Sequence, residues 1–74
     1  MHMDISIRLK LGKKIRQLRK KCGYAQEKFA EAADIDYKYL QRIEGKNPPN
    51  LKIETIQKFA KALHISVSKL LDFK

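Results

Sequence analysis

Hydrophobic residues recur every three or four positions along the first third of the chain. One stripe, with steps of 4, 4, 3 and 4, consists of Ile7, Leu11, Ile15, Leu18 and Cys22. Because this spacing puts its members on one face, it predicts an α-helix from about Ser6, acting as N-cap, to about Cys22. Gly23 follows as the left-handed residue that ends the helix, and Gly12 weakens the helix slightly from inside.

The same spacing defines four shorter segments in the rest of the chain. The second begins at Gln26, and Asp36 caps the third. A loop with two adjacent prolines, residues 46–50, precedes a fourth segment that stops near His64. Ser66 caps the fifth. The inward positions of these segments are Phe29, Ala30, Ala33, Ile35, Tyr39, Leu40, Ile43, Ile53, Ile56, Phe59, Ala60, Leu63, Val67, Leu70 and Leu71.

The hydrophobic pattern predicts no β-sheet. No alternating run is long enough for a β-strand, and the sequence predicts no internal repeat. We therefore predict an all-α fold of five short helices, in one domain over residues 1–74 with a flexible start at residues 1–5. A chain of 74 residues buries a small core, which excludes most enzyme folds with an enclosed cleft. The hydrophobic content of 43% excludes wholesale disorder.

Positive charge is concentrated near the start of the chain. Residues 1–23 hold eight bases and one acid, and the formal net charge of the whole chain is +9. A basic surface attracts polyanions, of which nucleic acid is the commonest in a cytoplasm, but a solvated lysine-rich helix has the same composition. The single cysteine, Cys22, cannot form an internal disulfide, and no apolar run is long enough to cross a membrane. We therefore expect a cytoplasmic protein.

Residues 26–45 have the features of a helix-turn-helix unit. Two short helices joined by about three residues cross at a small side chain, which Ala30 supplies. The turn requires a residue that tolerates positive φ, and Asp34 is one of the few types besides glycine that does so. The spacing therefore predicts that the third helix is the second member of this unit.

The chain resembles the phage repressor and Cro-like helix-turn-helix family over about residues 11–71. The resemblance rests on Arg19 before Gly23 and on three stretches of sequence, QEKFAEAADI, RIEG and ETIQKFAKALHIS. It implies a compact five-helix, lambda-repressor-like DNA-binding domain. The chain departs from the family at Asp34, where glycine is usual, at Ala25, where serine or threonine is usual, and in the loop with two prolines.

The resemblance also implies which side chains meet DNA. In the family the third helix lies in the major groove, so its outward residues would contact base edges. Lys38 and Arg42 can donate to guanine, and Gln41 can pair with adenine. Tyr37 can meet a thymine methyl group or a phosphate, whereas Asp36 caps the helix but would repel phosphate. Phosphate contacts are implied for Gln26, Lys46, Asn47 and Arg19, and each of these would otherwise be an ordinary surface residue.

Arg19 and Glu44 are implied to form an ion pair between the first helix and the end of the third. The alternative is two exposed charges, which contribute at most about 1 kcal/mol. The other lysines of the first helix are expected to attract DNA at long range, mostly without direct contact; they are Lys10, Lys13, Lys14, Lys20 and Lys21.

Catalysis and metal binding find no support in the sequence. His2 and His64 are far apart along the chain, and His64 suits a capping role. Cys22 falls on the apolar stripe, which predicts a buried core residue. We therefore predict no enzyme, no catalytic residue, no metal and no cofactor.

The predicted function is that of a sequence-specific transcriptional regulator, which binds double-stranded DNA as a homodimer on a pseudo-palindromic operator. Candidate dimer residues are Val67, Leu70, Leu71 and Phe73, which would equally well close the domain's own core. RNA polymerase and a cognate toxin are further candidate partners. Phage proteins, controllers of restriction–modification operons and antitoxins all fit this description.

The alternative is a protein-interaction module of the same fold, antitoxin-like or coactivator-like, with little DNA specificity. Such a module should present an apolar patch on the third helix. The polar residues at the outward positions of that helix favour DNA instead.

Overall fold

The computed structural model describes residues 4–73, which form five α-helices and no strand. They are α1 (Ile5–Lys21), α2 (Gln26–Ala32), α3 (Tyr37–Ile43), α4 (Ile53–Ala62) and α5 (Val67–Leu70). The predicted all-α class is therefore confirmed. The expectations for residues 1–3, His2 among them, lie outside the described residues. Within residues 4–73, no helix is both long and apolar enough to span a membrane.

The first helix begins earlier than the sequence predicts. Asp4 is its N-cap, because the Asp4 Oδ1 atom accepts a hydrogen bond of 3.0 Å from the backbone N–H of Ser6. The prediction of a Ser6 cap is therefore wrong. An aspartate is favoured there because its negative charge also faces the positive end of the helix dipole.

One core joins all five helices. Its fully buried large side chains are Leu11, Ile15, Phe29, Leu40, Ile43, Phe59 and Leu70. The rings of Phe29 and Phe59 stack with their centroids 5.7 Å apart at an interplanar angle of 16°. Ala30 is also buried, as the predicted crossing of α2 and α3 requires.

The apolar stripe of α1 is longer than the core that it covers. Ile7 is 42% exposed and Cys22 is exposed, so the prediction that Cys22 is a core residue is wrong. Both lie near the ends of the helix, where the spacing is correct but no partner helix covers the side chain. Ile53, predicted to point inward, is likewise 64% exposed in the first turn of α4.

Three helices end in a residue with left-handed backbone. Gly23 follows α1 with a φ of 82°, Asp34 follows α2 with 57°, and His64 follows α4 with 58°. The predicted roles of Gly23 as a stop residue and of Asp34 in the turn are confirmed. His64 likewise ends α4 as predicted.

The chain contains an internal repeat, contrary to the prediction from the sequence. The first unit is α2 with α3, the second unit is α4 with α5, and equivalent residues are 30 positions apart. Lys-Phe-Ala occurs at residues 28–30 and again at 58–60. The shared residues are few and α5 is shorter than α3, so the repeat is clearer in the backbone than in the sequence.

The turns of the two units have matching hydrogen bonds. The N–H of Ile35 donates to the carbonyl of Ala30 at 2.8 Å, and the N–H of Ile65 donates to the carbonyl of Ala60 at 3.0 Å. Each turn also ends in a side-chain cap, supplied by Asp36 to α3 and by Ser66 to α5. The two stacked phenylalanines, Phe29 and Phe59, are equivalent residues of the two units. The units therefore pack against each other through the same position of the repeat.

Candidate nucleic-acid interface

The third helix presents a polar face to solvent. Its exposed side chains are Tyr37, Lys38, Gln41 and Arg42, while Leu40 and Ile43 are buried on the opposite side. The spacing of one, three and four residues puts the exposed set on one side of a helix. The structure therefore brings the four predicted base-contacting residues together on one surface.

The start of α3 is held by the predicted cap. The carboxylate of Asp36 accepts a hydrogen bond of 3.2 Å from the backbone N–H of Tyr39. This satisfies one of the unpaired amides of the first turn. Asp36 is itself exposed, so its charge also lies beside the polar face.

The end of α3 is held by an ion pair with α1. The Nε and Nη2 atoms of Arg19 donate to the two carboxylate oxygens of Glu44, at 2.9 and 3.0 Å. The Nη1 atom of Arg19 donates to the carbonyl of Tyr24 at 2.7 Å, and the side chain of Gln26 donates to Glu44 at 3.0 Å. The predicted pair is therefore present, as a two-point contact between planar groups.

Burial changes the expected role of Arg19. Its side chain is 7% exposed, that of Glu44 is 2% exposed, and all three guanidinium nitrogens donate within the domain. A group in this position has little surface with which to contact phosphate. Its geometry is that of a residue that holds α1 against the end of α3.

Arg16 also lies at this surface, although the sequence pattern did not single it out. This exposed base lies one helical turn before Arg19 and lines a shallow cleft with Gln26, Tyr37 and Gln41. The cleft lies where α1, the start of α2 and α3 meet. The spacing of three residues between Arg16 and Arg19 was the available signal, because it places Arg16 on the neighbouring part of the α1 surface.

The start of α2 has no side-chain cap. Ala25 occupies the N-cap position and makes no side-chain hydrogen bond, so the first amides of α2 lack the partner that serine or threonine would give. Gln26, half-buried, begins the helix, and one of its amide hydrogens is directed to Glu44.

The loop after α3 is attached to the body of the domain. The Nη1 atom of Arg8 donates to the carbonyl of Pro48 at 3.1 Å, and Pro48 is buried. The hydroxyl of Tyr39 lies 3.5 Å from the carbonyl of Asn50. Lys46 and Asn47, the two predicted contact residues of this loop, are exposed and lie shortly after the end of α3 in the chain.

The predicted dimer residues divide into two groups. Leu70 is fully buried in the domain's own core, so its assignment to a dimer interface is wrong. Leu70 occupies the core position that Leu40 has in the first unit. Leu71 is 36% exposed, and Val67 and Phe73 are half-buried against the core.

The lysines of α1 lie mainly on a separate surface. Arg8, Gly12 and Arg19 face α3 and its loop, whereas Lys10, Lys13, Lys20 and Lys21 are exposed on other sides of the helix. The Nζ atom of Lys14 donates to the carbonyl of Asp72 at 2.8 Å, which joins α1 to the C-terminal segment. Among residues 4–73, no three His, Cys, Asp or Glu side chains are grouped as a metal site would require.

Comparison with known proteins identifies the family. A helix-turn-helix family model matches residues 15–70. The control protein C.BamHI of Bacillus amyloliquefaciens is 39% identical over 72 residues, which cover 96% of this chain and 88% of that protein. The chain therefore belongs to the helix-turn-helix family, as its resemblance to phage repressors implied.

Solved structures agree with this assignment. The restriction–modification controller protein C.AhdI from Aeromonas hydrophila superposes with a TM-score of 0.79 at 32% identity, covering 85% of this chain and 94% of that one. The N-terminal DNA-binding domain of SinR from Bacillus subtilis gives a TM-score of 0.79 at 38% identity, covering 86% and 93%. The chain spans 58% of the full SinR sequence. These relatives confirm the predicted fold and the predicted function of a DNA-binding transcriptional regulator.

Proposed function

We propose that this regulator binds a pseudo-palindromic operator as a homodimer, with α3 of each copy in the major groove. The observation that carries the proposal is the exposed polar face of α3, fixed at its start by Asp36 and at its end by the buried Arg19–Glu44 pair. A rigid helix with several donors on one face is what base reading requires.

Each residue of that face has a proposed role. Lys38 and Arg42 donate to guanine O6 and N7, and Gln41 pairs with adenine. Tyr37 meets a thymine methyl group or a phosphate. With the exception of Tyr37, the large hydrophobic side chains that are exposed lie outside α3, which favours DNA over the protein-interaction alternative.

The surrounding residues bind the phosphate backbone in this proposal. Arg16 joins Gln26 at the cleft between α1 and α2, where the uncapped amides of α2 add donors. Lys46 and Asn47 contact the backbone from the loop that follows α3. Arg19 positions α3 through Glu44 and does not itself contact phosphate.

Dimerisation in this proposal uses the exposed surface of the second unit. Leu71 is its centre, with Val67 and Phe73 beside it and Leu70 excluded by burial. One reading helix covers too few base pairs for specificity in a genome, so two copies with two-fold symmetry are required. The near full-length match to C.BamHI favours a controller of restriction–modification genes, which would act in the cytoplasm by blocking or recruiting RNA polymerase.

Selection of bound duplexes from a random pool tests this function. We expect a palindromic consensus, and substitution Leu71→Glu should reduce binding to the full site while leaving the monomer folded. An enriched sequence without symmetry would contradict the dimer. A pool without any enrichment would contradict specific reading and favour the protein-interaction alternative.

A matched pair of double variants tests the role of α3. Lys38→Ala with Arg42→Ala should weaken binding to the consensus by about 2–6 kcal/mol, because two base contacts are lost, while most affinity for scrambled DNA remains. Lys13→Ala with Lys20→Ala removes the same charge from α1 and should leave the preference for the consensus unchanged. Equal weakening on every duplex by the α3 variant would contradict the proposal.

A further inference from the structure

Helix α1 approaches the end of α3 closely at a glycine. Gly12 is buried in the middle of α1, and a Cβ atom added to it would overlap the carbonyl oxygen of Ile43. Ile43 is the last residue of α3. Because the obstructing atom belongs to the backbone, neither a rotamer change nor a shorter neighbouring side chain could make room for it.

This close contact lies between two arginines on the same face of α1. Arg8, one turn before Gly12, donates to the carbonyl of Pro48 at 3.1 Å. Arg19, two turns after it, forms the buried pair with Glu44, the residue next to Ile43. The end of α3 and its loop therefore rest on α1 at three points, and the middle point is a contact that only glycine permits.

We propose that Gly12 is a specificity-determining positioning residue, whose missing side chain sets the depth at which α3 lies on α1. The inference rests on the proposed function, in which α3 reads bases. A larger residue at position 12 would displace Ile43, and with it the exposed face from Tyr37 to Arg42.

Such a displacement affects the two kinds of DNA contact differently. Hydrogen bonds to base edges require donors within narrow limits of distance and angle, so they weaken when the helix shifts. Phosphate contacts made by long flexible side chains adjust to the same shift. The proposal therefore predicts a loss of sequence preference that exceeds the loss of general affinity.

The variant Gly12→Ala tests this prediction against the consensus selected with the natural protein. The ratio of consensus to scrambled affinity should fall by at least roughly tenfold, which is the discrimination of one good base contact. Affinity for scrambled DNA should change much less. Amide chemical shifts should move in α3 and stay in place in α5.

The control is Gly23→Ala, a glycine variant that should destabilise the chain without moving α3. Gly23 has a φ of 82°, which alanine tolerates poorly, but no atom lies within 4 Å of the added Cβ. The ratio of consensus to scrambled affinity of Gly23→Ala should match that of the natural protein. An equal fall in the control would overturn the proposal, because general destabilisation would then account for the effect.

A second variant keeps the proposal testable if Gly12→Ala does not fold. Arg8→Met retains the aliphatic stem but removes the hydrogen bond to Pro48, and it should lower the ratio by a smaller factor. An unchanged ratio in the folded variants overturns the role of Gly12 and its two neighbours. If the natural protein itself enriches no consensus, the proposed function fails instead.

Discussion

The two helix-turn-helix units have the same turn but different outward surfaces. In the first unit α3 has seven residues and exposes Tyr37, Lys38, Gln41 and Arg42. In the second unit α5 has four residues, and the equivalent positions hold Val67, Ser68, Leu71 and Asp72. The shared backbone places a helix, while its length and outward side chains determine what it can bind.

The units also differ in how they are attached to α1. The first is held by a buried ion pair and by close backbone contact at a glycine, which fix its position closely. The second is held by the buried side chain of Leu70 and by one hydrogen bond from half-buried Lys14. Polar attachment is directional, so it suits the unit that must present donors at fixed positions.

The ion pair gives the largest expected effect. Arg19→Ala should lower the free energy of unfolding by about 3–5 kcal/mol, because Glu44 would remain buried without its partner. Urea denaturation measures this loss. In contrast, Lys58→Ala removes the exposed pair with Asp34, 3.7 Å apart, and should change stability little. Similar losses in both variants would show that burial of the first pair contributes nothing.

Two equivalent leucines allow the effect of a substitution on stability to be distinguished from its effect on DNA sequence preference. Leu40 and Leu70 are both fully buried at corresponding positions of the two units. Truncation of either to alanine should cost about 2–5 kcal/mol of unfolding free energy. Only Leu40→Ala should also lower the preference for a half-site duplex over a scrambled one. A matching fall in Leu70→Ala would mean that the second unit positions α3 as well.

The helix caps give a smaller effect. Asp36→Ala and Ser66→Ala should each cost about 0.5–2 kcal/mol, which thermal denaturation can measure. Asp36→Asn retains an acceptor for the cap and removes a negative charge beside the reading face. This variant should therefore bind all DNA more tightly at nearly unchanged stability, and weaker binding would show that the carboxylate itself contacts DNA.

The left-handed turn residues give the smallest effect. His64→Gly should raise the free energy of unfolding by up to about 1 kcal/mol, because glycine adopts positive φ without steric cost. Asp34→Gly should gain less, since aspartate adopts this conformation more readily than histidine does. Stability measurements on the two variants compare the turns directly, and a loss at either position would mean that its side chain stabilises the turn.

Sequence periodicity predicted the elements well but not their limits. The helical segments, the turn at Asp34 and the caps at Asp36 and Ser66 depend on neighbouring residues, and neighbours are visible in a sequence. Burial of Cys22 and of Ile53 was predicted wrongly because both depend on where other helices end. Periodicity states which face of a helix points inward, but not how far along the helix the core extends.

In the candidate site, too, features within one helix were predictable from the sequence, whereas contacts between helices were not. Four residues of α3 were found because spacing within one helix determines a face. The contact of Gly12 with Ile43 and the hydrogen bond from Arg8 to Pro48 join residues more than 30 positions apart, and no local pattern reveals them. Arg16 was overlooked because its place beside Gln26 depends on the packing of α1 against α2.

The buried pair also affects the number of ions that binding releases. Each phosphate neutralised by a base on duplex DNA displaces condensed counterions, which steepens the dependence of log affinity on log salt by about 0.9. Arg19 is only 6% exposed and already paired, so it adds nothing to that slope. The ion release of each protomer should therefore follow the few exposed bases that touch DNA, and the formal charge of +9 overstates it.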